Sequence, residues 1–342
     1  MSKFCLSFFV VVLFLFLFIS KVYSFEYDTN RIRIIFYNVE NLFDTYNDSL
    51  KDDDSFLPGG VMRWNYTRYK NKINSIYKTI SAAGEWELPD IMAFCEIENR
   101  KVLMDLIYDT YMSKYKIGVI HEESPDLRGI DVCMLYRKDH VKVFGYRYMI
   151  PSKTKTVDYH TRSILYTKLL VQNDTLHLIV NHWPSRRGGV LAGEDLRILI
   201  AESVKDLCDS LLAVSSGRAK IVICGDFNST PDDTEIRKII YGEENATCFR
   251  NLSEVFIEKG EGTYRYRGIW EMIDQVIVSE SLIETGSGLF TRQDLFKIYK
   301  PEFLLEKDPV YPGYSPFPTY RGYRYHGGFS DHLPVLLDLY AK

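Results

Sequence analysis

Cysteine is scarce and scattered: the 342 residues hold six, with no pair spaced Cys-x-x-Cys. That argues against a zinc ribbon or a thioredoxin-type redox centre. Cys5 would leave with a leader, and the odd number that remains argues against a disulfide framework, with only a Cys208–Cys248 bridge left open. Cys95, Cys133 and Cys224 sit inside apolar runs, where a thiol is a small buried hydrophobe. Basic charge is not in surplus either. Lys and Arg total 42 against 46 Asp and Glu, a formal charge of −4, and losing Lys3 and Lys21 with a leader would take it two units lower. A protein that coats nucleic acid through net charge would be basic, so any phosphate contact must come from local arginines. No internal repeat, low-complexity linker or EF-hand spacing is present, and the acidic run Lys51–Asp54 reads as a solvated loop. Residues 25–342 read as one domain.

Only one hydrophobic run is long. Lys3 precedes Phe4–Ile19, and Val22-Tyr23-Ser24 supplies the residues a signal peptidase reads, so residues 1–24 are expected to be a signal peptide cleaved after Ser24. The run is short for the roughly 20 residues of a spanning helix. Kept uncleaved, it would anchor the chain to a membrane. Either way the body is expected outside the cytoplasm: periplasmic, on the cell surface or secreted.

Apolar residues make up 46% of the chain, with 25 Tyr and 20 Phe, enough for a sizeable core. Strand patterns fall at Ile32–Tyr37, Ile91–Glu96, Tyr115–Ile120, Ile130–Arg137, Val141–Arg147, Ser163–Val171, Thr175–His182, Lys220–Asp226, Ile273–Ser279 and Pro334–Tyr340. Helical periodicity marks Tyr66–Ala83, Val102–Tyr108 and Gly193–Ala213. Short turns at Lys138-Asp139-His140 and Gln172-Asn173-Asp174 imply hairpins, and the helices imply crossovers. The expected fold is α/β: a four-layered sandwich of two mixed sheets packed face to face and flanked by helices. Asp44–Trp64 and Lys307–Gly328 read as loops over one edge.

The strand ends are unusual. Asn38 and Glu40 follow Ile32–Phe36, Glu96 follows Ile91–Cys95, His182 follows Leu176–Val180, and Asp226 with Asn228 follows Ile221–Cys224. Asp274 opens one late strand, and Asp331 with His332 precedes another. If the early strands run opposite to the late ones, all these groups meet on one edge. Crowded carboxylates and imidazoles are costly to desolvate unless a cation and an anionic substrate share the space. In Gly225-Asp226-Phe227-Asn228 the Asp can align or deprotonate water while the Asn donates to a developing phosphate charge.

Taken in order, Phe36-Tyr37-Asn38-Val39-Glu40-Asn41, Phe94-Cys95-Glu96, Asn181-His182-Trp183-Pro184, Gly225-Asp226-Phe227-Asn228, Ile273-Asp274-Gln275 and Ser330-Asp331-His332 resemble the endonuclease/exonuclease/phosphatase superfamily over Arg31–Leu339. That resemblance implies a metal-dependent phosphoric ester hydrolase. It implies Glu96 as principal ligand of Mg²⁺, with Mn²⁺ as alternative, Asn38 and Glu40 nearby, and Asp331 contributing directly or through water. Asp226 would orient the attacking water, and Asn228 would hold it or the phosphate. His332, oriented by Asp274, would contact the scissile phosphate. His182 would stabilise the transition state or protonate the leaving oxygen. Relatives support the first histidine with a Glu, for which Asp131 is the candidate here, and several carry Asp where this chain has Glu40.

Arg128, Arg162 and Arg186-Arg187 are candidate phosphate grips, because a guanidinium matches phosphate geometry with paired donors. The aromatic run Tyr311, Tyr314, Phe317, Tyr320, Tyr323 and Tyr325 either packs its loop or stacks bases. The leading expectation is an endonuclease acting on nucleic-acid phosphodiesters, with no protein partner implied. The alternatives are a phosphomonoesterase, a sphingomyelinase- or inositide-type phosphohydrolase, and last a catalytically silent binding module, since shared motifs handle the phosphate and not what it is attached to.

Overall fold

Period-two alternation sorts each strand into an inner and an outer row, and the two rows bury against different partners. The computed structural model describes residues 30–151, 160–186, 193–240, 248–283 and 288–342. The expected signal peptide and Arg187 lie outside them. Strands are numbered in chain order: β1 (Arg31–Leu42), β2 (Ile91–Ile97), β3 (Ile117–Ile120), β4 (Asp131–Arg137), β5 (Val141–Met149), β6 (Ile164–Val171), β7 (Asp174–His182), β8 (Lys220–Asp226), β9 (Phe249–Asn251), β10 (Tyr264–Tyr266), β11 (Ile269–Glu271), β12 (Asp274–Ser279), β13 (Leu289–Phe290), β14 (Phe296–Ile298), β15 (Leu305–Lys307), β16 (Tyr314–Pro316), β17 (Tyr320–Arg321), β18 (Arg324–Tyr325) and β19 (Val335–Ala341). One sheet has the order β13-β19-β1-β2-β4-β3 with β14 beside β19, and the other β5-β6-β7-β8-β12-β9. Both are mixed: β1 and β2 run parallel, as do β7 and β8, whereas β12 runs antiparallel to β8.

The inner rows meet in one core. Ile34 and Phe36 of β1, Ala93 and Cys95 of β2, and Val132 and Met134 of β4 face Leu176, Leu178 and Val180 of β7, Val222 and Cys224 of β8, and Val276 and Val278 of β12. The outer row of the first sheet, Ile35, Tyr37, Met92 and Phe94, is covered by α1 (Tyr66–Ala83) and α2 (Arg100–Tyr108). Ile179, Ile221, Ile223 and Ile277 of the second sheet are covered by α3 (Glu194–Val214) and α4 (Thr234–Ile240). The four layers follow from these patterns. Asn65 and Asn99 start α1 and α2 by accepting from Arg68 N and Val102 N, which satisfies one orphan amide of each helix. Among the described residues, no helix is long and apolar enough to cross a membrane.

Some boundaries differ from expectation. β3 begins at Ile117 because Tyr111–Lys114 first wind into a 3₁₀ turn capped by the Thr110 hydroxyl. β1 does not stop before Asn38 but continues to Leu42 through an irregular register. Cys208 and Cys248 are both free thiols, so the bridge left open above does not form. Within the tyrosine-rich stretch, Tyr320 packs on Trp64 and Tyr325, and Phe317 on Phe329, while Tyr314 and Tyr323 stay exposed.

Candidate active site

The inner rows of the second sheet end in polar side chains, all at one edge. On β7 the row Leu176, Leu178, Val180 reaches His182, and on β8 the row Val222, Cys224 reaches Asp226. On β12, read backwards, Val278 and Val276 lead to Asp274. Register places these ends side by side, His182 against Asp226 and Asp226 against Asp274. Gly225 makes the pairing possible, since a Cβ there would lie 2.4 Å from Asn181 O. From the facing sheet, Asn38 continues the row of Ile34 and Phe36 and donates from Nδ2 to Asp226 Oδ2 at 3.0 Å.

Glu96 arrives differently. Cys95 points inward, so in a regular strand its successor would face the helices. A register shift between Cys95 and Ile97 and a left-handed backbone, φ 63°, turn Glu96 back, as bulges do where a side chain must be re-aimed. Its Oε2 accepts from Asn41 N at 2.9 Å, and its Oε1 lies 3.8 Å from His182 Nε2. Glu40 (φ 53°) and Asn228 (φ 48°) are left-handed as well, and non-glycine residues held there cost on the order of 1–3 kcal/mol each.

The two imidazoles have opposite charge preferences. His332 Nδ1 lies 2.7 Å from Asp274 Oδ2, which also accepts the Thr263 hydroxyl. Burial alone would lower the His332 pKa, but Asp274 and Asp226 hold it well above its usual value. His182 is pushed well below its usual value by burial and then by Arg162 and Arg128. At neutral pH one ring is therefore a cation and the other neutral, the separation that acid–base work needs. Asp226 sits between them, its Oδ2 3.7 Å from His182 Nε2 and 3.9 Å from His332 Nε2. Burial pushes its carboxyl up to about 7, with Asp274 adding and His332 opposing. Ser330 ties this arrangement to β1 by donating to Asn38 O and accepting from His332 N.

The remaining candidates divide. Asp331 Oδ1 lies 4.0 Å from His332 Nε2, with its side chain part-exposed at the opening. Asn228 donates its backbone N–H to Asp226 Oδ1 and its Nδ2 to Trp183 O. Arg162 is buried, 3.3 Å from Asp126 Oδ2, and near enough to feel the charges of Glu96 and Asp226. Arg128 is more exposed and 3.8 Å from the same Asp126. Arg186 places its Nη2 against Asp233, whose carboxylate also accepts Thr230 N and Oγ1, while its buried Nε has no hydrogen-bond partner. Asp131 does not support His182: it pairs with His121 Nε2 at 3.1 Å and accepts Ser124 N.

Glu40 is a structural brace. Both its oxygens accept backbone amides of the opposite loop, Thr319 N and Tyr320 N, and Lys72 Nζ approaches to 3.8 Å. Sequence reading missed Lys72, although a lysine between Tyr69 and Ile76 on the buried stripe of α1 was a visible signal. It is buried, donating to Thr319 Oγ1 and Phe329 O. Glu40→Ala would strip two amides of their acceptor and leave Lys72 without its carboxylate. Urea denaturation is expected to show a loss of roughly 2–5 kcal/mol.

The donor set fits a divalent cation. The Glu96 and Asp226 carboxylates lie 3.8 and 3.7 Å from His182 Nε2 and that of Asp331 lies 4.0 Å from His332 Nε2, while the buried Lys72 is spent on Glu40 and the loop. Oxygen donors of this kind suit a hard metal ion. An open groove of about 720 Å³ lined by Tyr166, His177, Arg218 and Lys220 lies at the other ends of β7 and β8 and takes no part.

The sequence profile of the endonuclease/exonuclease/phosphatase family matches residues 33–341. No curated protein sequence matches the chain. Solved structures share the fold. The mannosyl-6-phosphatase of Bacteroides thetaiotaomicron superposes with TM-score 0.57 at 14% identity, over 90% of this chain and 99% of that one. The catalytic domain of human Nocturnin with bound sulfate gives 0.54 at 16%, over 92% and 95%. TDP2 of D. rerio complexed with a single-strand DNA product gives 0.53 at 13%, over 90% and 98%.

Proposed function

The chain belongs to the endonuclease/exonuclease/phosphatase family, whose members are phosphoric ester hydrolases, and from that premise we propose that it is an exported, Mg²⁺-dependent phosphodiesterase that cleaves nucleic acid. The observation that carries the reading is the contiguous row His182, Asp226, Asp274, with His332 held on Asp274 and the two rings in opposite charge states. In this reading Asp226, near neutrality in its affinity for a proton, aligns water and takes its proton. Asn38 and the Asn228 amide fix the carboxylate's direction. Cationic His332 binds the phosphate and delivers a proton toward the leaving oxygen. Neutral His182 donates a hydrogen bond to the phosphate, and Arg162 and Arg128 supply positive field. Glu96 and Asp331, with Asn38 beside them, would hold Mg²⁺ (or Mn²⁺). Bound there, it neutralises charge developing on the phosphate.

Nucleic acid is favoured over a simple monoester by the aromatic rim. Tyr264 of β10 bridges to His332 and lies ring to ring with it at 4.9 Å, and Tyr266 and Tyr314 beside it are exposed. Exposed rings beside a phosphate site suit stacked bases. Export rests on the sequence of residues 1–24 alone.

A substrate panel tests the reading: single-stranded DNA, supercoiled plasmid, RNA, sphingomyelin, inositol phosphates and sugar phosphates, each with Mg²⁺ and then with chelator. Cleavage of polynucleotide that stops on chelation and returns with added Mg²⁺ is the expected result. Turnover of monoesters alone would move the protein to the phosphatase class, and hydrolysis indifferent to chelator would contradict the metal role.

A further inference from the structure

Directly beneath the row lies a thiol that hydrolysis does not use. Cys95 is fully buried on the inner face of β2. Its Sγ, an imidazole nitrogen of His182 and a carboxylate oxygen of Asp226 all lie within 4.8 Å of one another. Glu96 Oε1 lies outside that set but 3.8 Å from His182 Nε2, the nearest further carboxylate to the ring besides Asp226. His182 Nδ1 is buried with no hydrogen-bond partner, so no protein group fixes its tautomer. One sulfur, one nitrogen and two oxygens are not the set that Mg²⁺ selects, which is oxygen alone in octahedral array. They match a borderline-soft cation that accepts four mixed donors. With metal–sulfur and metal–nitrogen bonds of about 2.3 and 2.0 Å in tetrahedral array, the sulfur and nitrogen donors on one Zn²⁺ stand roughly 3.5 Å apart. The three donors lie within 4.8 Å of one another, so closing onto one ion takes side-chain movement of up to roughly 1.3 Å.

We propose that Cys95, His182 and Asp226, with Glu96 as fourth donor, form a Zn²⁺ site that silences the enzyme while occupied. Binding forms an S–Zn bond as the Cys95 thiol gives its proton to solvent, and His182 donates a ring lone pair, with no change of oxidation state. Silencing rests on the catalytic roles proposed above, because Zn²⁺ would take the imidazole and carboxylate that hydrolysis needs. Binding itself does not rest on them.

The experiment separates the two. Chelator-stripped full-length protein is titrated with Co²⁺, a spectroscopic stand-in for Zn²⁺. A near-ultraviolet sulfur-to-cobalt band that saturates at one equivalent and is bleached by Zn²⁺ is expected. Cys95→Ser should lose the band, and Cys224→Ser, buried in β8 outside the set, should keep it. Should Cys95→Ser not fold, X-ray absorption of the Zn²⁺-loaded wild-type protein decides, with one sulfur neighbour at about 2.3 Å expected. No band in the wild type, a band that survives Cys95→Ser, or no sulfur neighbour overturns the site. With excess Mg²⁺, half-inhibition of wild-type hydrolysis is expected at a Zn²⁺ concentration roughly tenfold or more below that for Cys95→Ser. A sulfur band with hydrolysis unaffected by Zn²⁺ overturns the silencing and, separately from the site, the roles given to His182 and Asp226.

Discussion

Asp226→Ala is expected to lower kcat by roughly 10²–10⁴-fold, the range for loss of a general base, while leaving the chain folded. The carboxylate it removes lies between two imidazoles, 3.7 and 3.9 Å away, and accepts from Asn38 and from the Asn228 amide. Losing it deprives Asn38 Nδ2 of its acceptor, a cost of about 1–3 kcal/mol. It also relieves the burial that pushes this carboxyl up to about 7. The two effects oppose, so the melting temperature should move little while turnover collapses. Substrate affinity should change less than kcat, because Asp226 is assigned to water and not to the phosphate. Steady-state kinetics beside circular dichroism settle the point, and near-wild-type turnover would remove Asp226 from the mechanism.

The second large effect belongs to Asp274→Asn. Asp274 meets substrate only through His332 and is a positioning residue, so loss of rate alone would not identify its role. Its signature is in the pH profile. The anion is the leading influence holding His332 well above its usual pKa, so in the wild type the alkaline limb of kcat/KM lies well above the ordinary histidine range. With the charge removed, the folded-state pKa falls and the proton leaves at lower pH. The alkaline limb should therefore shift toward acid, with kcat near neutrality down by roughly 10²–10⁴-fold. A profile that keeps its shape while only its height falls would mean that Asp274 acts on the fold and not on the ring.

The layers were legible because alternation is a one-dimensional signal. Each β7, β8 and β12 residue declares its face by parity, and the polar residue ending each inner row declares the edge. His182, Asp226, Asp274 and Asn38 are readable in that way, and the structure sets them within one network. Glu96 is not, because parity sends it to the helix face and only a bulge and a left-handed φ reverse it. Arg186 shows a different limit. A guanidinium near an edge looks the same in sequence whether its partner is a phosphate or Asp233, and that partner lies 47 positions away. Asp131 and His121 show the same limit, since adjacency to His182 and pairing with His121 differ only in three dimensions. Lys72 was legible in principle, as a charge within an apolar stripe, which calls for a buried counter-charge.

The left-handed backbones at Glu40, Glu96 and Asn228 also bear on how such a chain drifts. Glycine is the residue most at ease in those conformations, with asparagine next, so replacement there relieves backbone tension, most at Glu40 and Glu96, while deleting the side chain. Selection for thermal robustness alone would erode these positions early, and a lineage freed from hydrolysis should carry glycine at 96 or 228 before its hydrophobic interior changes.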